Sequence, residues 1–250
     1  MKLEHPQSEH IAALRLLWQE AFGDTDAFLD GFFSTAFAPQ RCLCMLQQGR
    51  ALSAAYWLDV QLPGGKGAYI YAVATAKDSR GRGLAHKLMA AIHEKLQQEG
   101  YGAAILVPGE PALETFYEGM GYRFFGGIRS FSALAKSPGV ALRNVSGEEY
   151  AALRKGYLPA GAVEQKRENM AFLETYAALY AGEDFLLAAY RDRDTLSGLE
   201  MLGNVEKAPG ILHTLGVKQG SFRTPGHEPF AMWLPLKEMQ APTYFGLAFG

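Results

Sequence analysis

The sequence predicts an α/β (α+β) protein: a mixed β-sheet flanked by helices, followed by a second, smaller α+β lobe. Three observations carry this reading. Tyr69–Thr75 is an apolar strand that passes through Ala76–Ser79 and the run Arg80-Gly81-Arg82-Gly83-Leu84-Ala85 into an amphipathic helix. Two further extended segments precede that strand, the order of an antiparallel run that ends in a helical crossover. Composition then changes at Lys136-Ser137-Pro138-Gly139, beyond which strands and helices alternate differently.

Taken in order, a short first strand leads to a helix over about 8–22, with Ser8 as its cap and Ile11, Leu14, Leu17 and Trp18 on one face. Asp24-Thr25-Asp26 caps a second helix that carries Phe28, Leu29, Phe32, Phe33 and Phe37 and ends before Pro39. Strands follow over 41–47 and 51–62, joined at Gln48-Gly49-Arg50, and Pro63-Gly64-Gly65 turns the chain into the strand at 69–75. The next helix buries Leu84, Ala85, Leu88, Met89, Ile92 and Leu96 and stops at Gly100. His86 and His93 lie seven residues apart on it and read as solvated, with no third ligand for a metal. A strand at 103–107, a helix from Pro111 to Gly121, and strands at 122–125 and 128–134 complete a first domain, 1–135. The second domain, 136–250, reads as a strand at 140–145, helices near 147–156 and 164–180, and strands at 185–191, 196–203, 210–217, 229–236 and 243–248.

Composition narrows the function. A chain of 250 residues with 48% hydrophobic content can bury ample core. A formal net charge of −2, with acids and bases interspersed, argues against nucleic acid or an anionic membrane as the partner. No apolar run approaches the ~18 residues a bilayer span needs. The start, Met1 to Pro6, lacks a signal-peptide core, so the expected address is the cytoplasm. Cys42 and Cys44 alternate along one apolar segment and read as reduced core thiols; no metal is expected.

The chemistry concentrates in the strand–loop–helix at 69–85. A helix that begins at glycines leaves backbone N–H groups unpaired at the positive end of its dipole, a site suited to a phosphate or pyrophosphate. Gly81 and Gly83 allow close backbone approach, and Arg80 and Arg82 add charged donors. The second half holds no such loop: Arg223 is followed by Gly226 but then by Glu228.

Arg80, Gly83 and Ala85 resemble the coenzyme signature Gln/Arg-x-x-Gly-x-Gly/Ala of the GNAT acetyltransferases. The ending Phe116-Tyr117-Glu118-Gly119-Met120-Gly121-Tyr122 resembles the helix that packs beside the coenzyme thiol in that family. The resemblance implies acetyl-CoA as co-substrate, bound by Val73, Ala74 and Thr75 of the strand and by Arg80, Gly81, Arg82, Gly83, Leu84, Ala85 and His86 of the loop and helix start. It implies Tyr117 as the acid that protonates the leaving thiolate, and Trp18, Phe22, Phe32 and Phe33 as wall of the acceptor site.

Within the family the layout is similar to the Eis-like branch, echoed by Trp18–Phe22, Val73-Ala74-Thr75 and Arg80–Gly83 over about residues 1–135. The second lobe is then read as a degenerate acetyltransferase-like half, with a sterol-carrier-like domain as the other option. The function implied is transfer of the acetyl group to a primary amine of a small molecule or peptide by direct attack. A non-catalytic acyl-CoA-binding or partner-recognition module is the alternative, and a homo-oligomer is left open. Phenol and thiol differ by only ~1.5 pKa units in water, which favours Tyr117 as donor. No general base is evident; Glu110, Glu114 and the terminal carboxylate of Gly250, the role implied by Eis-like enzymes, are the candidates.

Overall fold

A computed structural model describes residues 2–249 and divides the chain into two compact units. The first takes the chain up to Leu106, then Glu110–Arg123 and Trp233–Gln240. The second takes Val107–Gly109, Phe124–Met232 and the chain from Ala241 on. The stretch 136–139, expected to be a boundary, lies inside the second unit.

The first unit begins with β1 (Lys2–Glu4), α1 (Ile11–Phe22, entered through a tight turn at Ser8–His10) and α2 (Asp26–Thr35). Thr25 caps α2, its hydroxyl accepting from the Phe28 amide at 3.3 Å. Then come β2 (Cys42–Gln47), β3 (Arg50–Leu62), β4 (Gly65–Thr75), α3 (Leu84–Gln98), β5 (Ala103–Leu106) and α4 (Pro111–Glu118). Cys42 and Cys44 are buried free thiols, as the sequence suggested. β2, β3 and β4 pair antiparallel, and β4 pairs parallel to β5 after the α3 crossover. α1 packs on β3 and β4, and α3 packs on β2, β3 and β4. Leu88, Met89, Ile92 and Leu96 form the buried stripe of α3 that the sequence spacing called for.

The strand beside β5 comes from far along the chain. After β6 (Arg123–Phe125) the sequence continues through β7 (Ile128–Leu134), β8 (Arg143–Asn144), α5 (Gly147–Tyr157), β9 (Glu164–Gln165), α6 (Glu168–Leu173), β10 (Ala178–Ala181), β11 (Phe185–Asp192), β12 (Thr195–Gly203), α7 (Ala208–Thr214), β13 (Gln219–Pro225) and β14 (Ala231–Pro235). β14 is the strand that takes the place next to β5. Its following residue, Leu236, donates its amide to the Gly102 carbonyl at 2.9 Å and accepts from Gln97 Nε2 at 3.3 Å.

The second unit is built on a sheet of order β7-β13-β12-β11-β10-β8, with β12 and β13 parallel. Phe185, Leu187, Leu196, Met201, Ile211, Leu212 and Phe222 form its core. Four sequence expectations are corrected here. Residues 210–217 are helical in their first half, as α7, because a short apolar run has no period that separates strand from helix, and Pro209 suits a first helical turn. The helix expected at 164–180 is cut to α6, with strands on either side. Only Arg143–Asn144 of the expected strand at 140–145 pairs. Residues 243–248 belong to no strand, although Tyr244, Phe245, Leu247 and Ala248 are buried.

What holds that last segment is polar. Glu200 is fully buried and accepts from Arg154 Nε at 2.6 Å and Nη2 at 2.8 Å, a two-point pair. The Tyr244 hydroxyl donates to the same carboxylate at 3.0 Å, and Arg154 Nη1 donates to the Val163 carbonyl at 3.3 Å. The Tyr244 carbonyl accepts the Val163 amide at 2.9 Å, and the Leu247 carbonyl accepts from Gln165 Nε2 at 2.8 Å. Removing one charge would leave the other buried without a partner. Glu200→Gln is therefore expected to destabilise the protein by about 3 kcal/mol or more. Urea denaturation should show a lower midpoint with an unchanged slope; an unchanged midpoint would mean that the pair contributes nothing.

Candidate active site

The site is assembled where β4 leaves its neighbour. Its parallel register with β5 covers Gly67↔Ala103, Ala68↔Ala104 and Tyr69↔Ile105 and then ends, while β4 itself runs on to Thr75. Beyond Tyr69 the edge of β4 that faced β5 is released. On its other edge β4 keeps pairing with β3, but the register shifts: Tyr71 faces Tyr56 whereas Ala74 faces Ala54. β4 thus carries one residue more than β3 across this interval, a bulge, with Ala72 at φ +49°. That left-handed conformation costs a residue with a Cβ about 1 kcal/mol, and here it re-aims the strand just where its edge opens. Val73 and Thr75 are half-buried and Ala74 is buried, so the implied binding strand is accessible in part. Ser53 fixes the strand end: its hydroxyl meets the Ala74 carbonyl at 2.9 Å and the Thr75 hydroxyl at 2.9 Å.

Parallel strands end at the same side of a sheet, so both segments that follow β4 and β5 start there. After β4 comes a tight turn, Lys77–Ser79, then Arg80 and the two glycines. Gly81 and Gly83 have φ +73° and +71°, and a Cβ on either would meet nothing within 4 Å. They are glycines for backbone conformation, and the space beside them is open. Gly83 precedes α3, no side chain caps the helix, and no acceptor for the amides of Leu84, Ala85 and His86 occurs among the described residues. These are open donors at the positive end of a fifteen-residue helix. Leu84 is buried and anchors the helix start, whereas Arg82, Gly83 and His86 are exposed. Arg80 folds back, its Nε donating to the Thr75 carbonyl at 3.1 Å, so it braces the loop against the strand end.

Two braces of this loop escaped the sequence reading. Arg50, in the β2–β3 hairpin, grips Asp78 through both terminal nitrogens at 2.6 and 3.0 Å. That pairing, with a smaller share from Ser79, holds the Asp78 carboxyl below the usual carboxylate range. Glu20 of α1 accepts the Lys77 amide at 2.7 Å. Both contacts span long stretches of sequence between common surface residue types, and no local pattern marks them.

After β5, the segment 107–110 leads into α4, with Pro111 in its first turn and Tyr117 near its end. Tyr117 is 6% exposed, and its hydroxyl makes no hydrogen bond among the described residues. Its ring lies edge-on to Phe116 at 5.2 Å and to Tyr122 at 5.7 Å. Burial pushes its pKa up to about 12. Glu114, one turn earlier on α4, is half-buried, and Glu110 is exposed. Gly250, the third candidate base, lies outside the described residues.

The four aromatics expected to line an acceptor site divide in two. Trp18 and Phe32 are core residues, 2% and 1% exposed, with ring centroids 4.8 Å apart. Trp18 also meets Tyr56 at 5.1 Å and Tyr71 of β4 at 5.5 Å, and its indole nitrogen donates to Asp24 at 2.8 Å. Phe22 is exposed and Phe33 half-buried, so only these two of the four can offer an aromatic face to a ligand. His93 is likewise corrected: it is half-buried and hydrogen-bonded to Tyr122 rather than solvated. No group of three or more metal-binding side chains occurs among the described residues, and no helix among them is long and apolar enough to cross a membrane.

A family model described as an acetyltransferase (GNAT) domain matches residues 3–125. No curated protein matches the sequence. Among solved structures, a GCN5-related N-acetyltransferase from Kribbella flavida superposes with a TM-score of 0.69 at 19% identity, covering 93% of this chain and 70% of that one. Eis1 from Mycobacterium abscessus gives 0.62 at 16% identity, covering 92% of this chain and 66% of that one. A tandem GNAT protein from the clavulanic acid biosynthesis pathway gives 0.58 at 12% identity, covering 96% of this chain and the whole of the other. At these identities the likeness is one of fold, and the tandem protein fits a chain made of two α/β lobes. Residues 3–125 therefore match an acetyltransferase (GNAT) domain, and the solved neighbours share the fold of GNAT N-acetyltransferases.

Proposed function

We propose that the first unit binds acetyl-CoA along the released edge of β4 and at the start of α3, and transfers its acetyl group to a primary amine of a small molecule or peptide. The observation that carries this is the donor set. The open amides of Leu84, Ala85 and His86 follow two left-handed glycines, with unfilled space beside both. That cradle fits a pyrophosphate, and the stretch of β4 from Ala72 to Thr75, beyond its register with β5, fits an amide-bearing arm. Arg80 acts by bracing the loop; Arg82 and the amides do the holding. When bound, acetyl-CoA supplies an activated thioester. An amide of β4 near Val73 or Thr75 then stabilises negative charge that develops on the carbonyl oxygen.

Tyr117 is the acid in this reading, with one change to the expectation from solution values. Burial widens the gap between its pKa, about 12, and that of a thiol. Complete proton transfer from this phenol to a thiolate of pKa ~8.5 is uphill by roughly 5 kcal/mol. Tyr117 therefore acts first as a hydrogen-bond donor to the charge that builds on sulfur, with the proton moving late. Of the candidate bases, Glu114 is better placed than Glu110, being half-buried and one turn from Tyr117 on the same helix. The second unit, which lacks a loop of this kind in its sequence, is a degenerate acetyltransferase-like half. An Eis-like branch and a cytoplasmic setting complete the reading.

A screen of polyamines, aminoglycosides, amino acids and peptides, read by thiol release from acetyl-CoA, tests the activity and finds the acceptor. Gly83→Val is expected to lose more than tenfold in acetyl-CoA affinity by calorimetry, from a strained backbone and a methyl group in the open cradle. Unchanged affinity in the folded variant would refute the loop assignment. Tyr117→Phe should lower kcat by about 100-fold or more while acetyl-CoA affinity stays within about twofold. Because its pKa is raised, Tyr117 stays protonated throughout the working range. The kcat profile should therefore show no falling limb from this group below about pH 11, and a tyrosine-dependent limb near pH 9 would contradict the role.

A further inference from the structure

Tyr122 is buried, 1% exposed, and its hydroxyl meets His93 Nε2 at 2.8 Å. His93 belongs to α3, ten residues beyond Gly83. The rings of His93 and Tyr122 are 5.4 Å apart at 53°. On its other side Tyr122 is tied to Tyr117 twice. Its amide donates to the Tyr117 carbonyl at 3.1 Å, and its ring stands 5.7 Å from the Tyr117 ring at 66°. One side chain therefore joins the helix that begins at the coenzyme loop to the helix that carries the acid.

We propose that His93 and Tyr122 are positioning residues for Tyr117, holding its hydroxyl at a fixed distance from the start of α3. The inference rests on the reading of Tyr117 as proton donor. The ligand in that reading is long: its phosphates sit at one end of α3, and its sulfur must meet a hydroxyl on α4. Neither helix end by itself fixes the span between them. A hydrogen bond between α3 and Tyr122, four residues beyond the end of α4, does, because Tyr122 is tied to both. Burial keeps His93 neutral, its pKa pushed down to about 4 with a smaller push from His86, so one ring nitrogen is free to accept from the Tyr122 hydroxyl. Burial pushes the pKa of Tyr122 well up, with a smaller push from Tyr117, so its hydroxyl stays protonated and can donate to His93. Misplacing a catalytic group by 1 Å can cost about 100-fold in rate, so a tether of this kind matters to kcat before it matters to binding.

The test uses the full chain and three variants: Tyr122→Phe, which deletes only the hydroxyl, His93→Leu, which deletes its partner, and His93→Gln, which keeps a polar partner. Crystal structures with bound CoA are compared for wild type and Tyr122→Phe. The expected result is a Tyr117 hydroxyl close to the sulfur in wild type and displaced or split between positions in the variant. With the amine found by thiol release, kcat should fall about tenfold in Tyr122→Phe and His93→Leu, while the KM for acetyl-CoA stays within about twofold. His93→Gln should recover most of the loss. In a Tyr117→Phe background Tyr122→Phe should add nothing. A purely structural role predicts lower thermal stability with unchanged kcat in the folded fraction, and that outcome overturns the proposal. So does an unmoved Tyr117, or a loss that adds in full to that of Tyr117→Phe. If Tyr117→Phe is impaired and the other variants are not, only this inference fails. If Tyr117→Phe turns over at the wild-type rate, the acid assignment fails and takes the inference with it.

Discussion

The first unit depends on a parallel strand pair that stops early. β4 and β5 share three residue pairs, and β4 then continues for six more residues without its neighbour. A buried backbone group left without a partner costs about 1–3 kcal/mol, so such an edge persists only where water or a ligand can reach it. The half-buried state of Val73 and Thr75 meets that condition. The bulge at Ala72, the loop with its two left-handed glycines, and the start of α4 are all consequences of the same parting, since parallel strands deliver their ends to one side of the sheet. Arg50, Arg80 and Glu20 then hold the loop by contacts to its side chain and backbone groups, leaving the first amides of α3 open.

Packing beneath the site is dense and aromatic. Trp18 lies within 6 Å, ring to ring, of Phe32, Tyr56 and Tyr71. Aromatic pairs at such angles add roughly 0.5–1.5 kcal/mol each beyond the area they bury. Tyr71 belongs to β4, so this cluster fixes the released strand from its own face and lets its edge part from β5 without loosening. The cluster serves rigidity first; Phe22 and Phe33, at its margin, keep exposed surface.

The second unit solves a different problem. Its segment from Tyr244 to Phe249 belongs to no strand, yet it is buried, so its backbone groups need partners outside a strand ladder. The Val163 amide donates to the Tyr244 carbonyl, Gln165 Nε2 to that of Leu247 and Arg223 Nη2 to that of Ala248, while the Tyr244 hydroxyl anchors the segment to Glu200. A buried ion pair adds little net stability over apolar packing, but it is costly to break and tolerates few alternative arrangements. That suits a segment with no hydrogen-bonded ladder to set its register.

Local chemistry, read from sequence, determined the strand–glycine–helix unit, the buried stripe of α3, the α4 helix with Tyr117, and the order of elements through β5. Each of these depends on residues within a turn or two of one another, so spacing alone carries the signal. The environment of Tyr117 was only half legible: the residue stood out, but the burial that raises its pKa comes from the fold around it. Partner choice was not legible at all. That β14 fills the place beside β5, that β7 joins the other sheet, and that His93 faces Tyr122 rather than water are decided by which distant surfaces fit. Strand pairing is made by backbone groups that every residue shares, and burial is a property of the assembled core, so the tertiary structure alone could settle them.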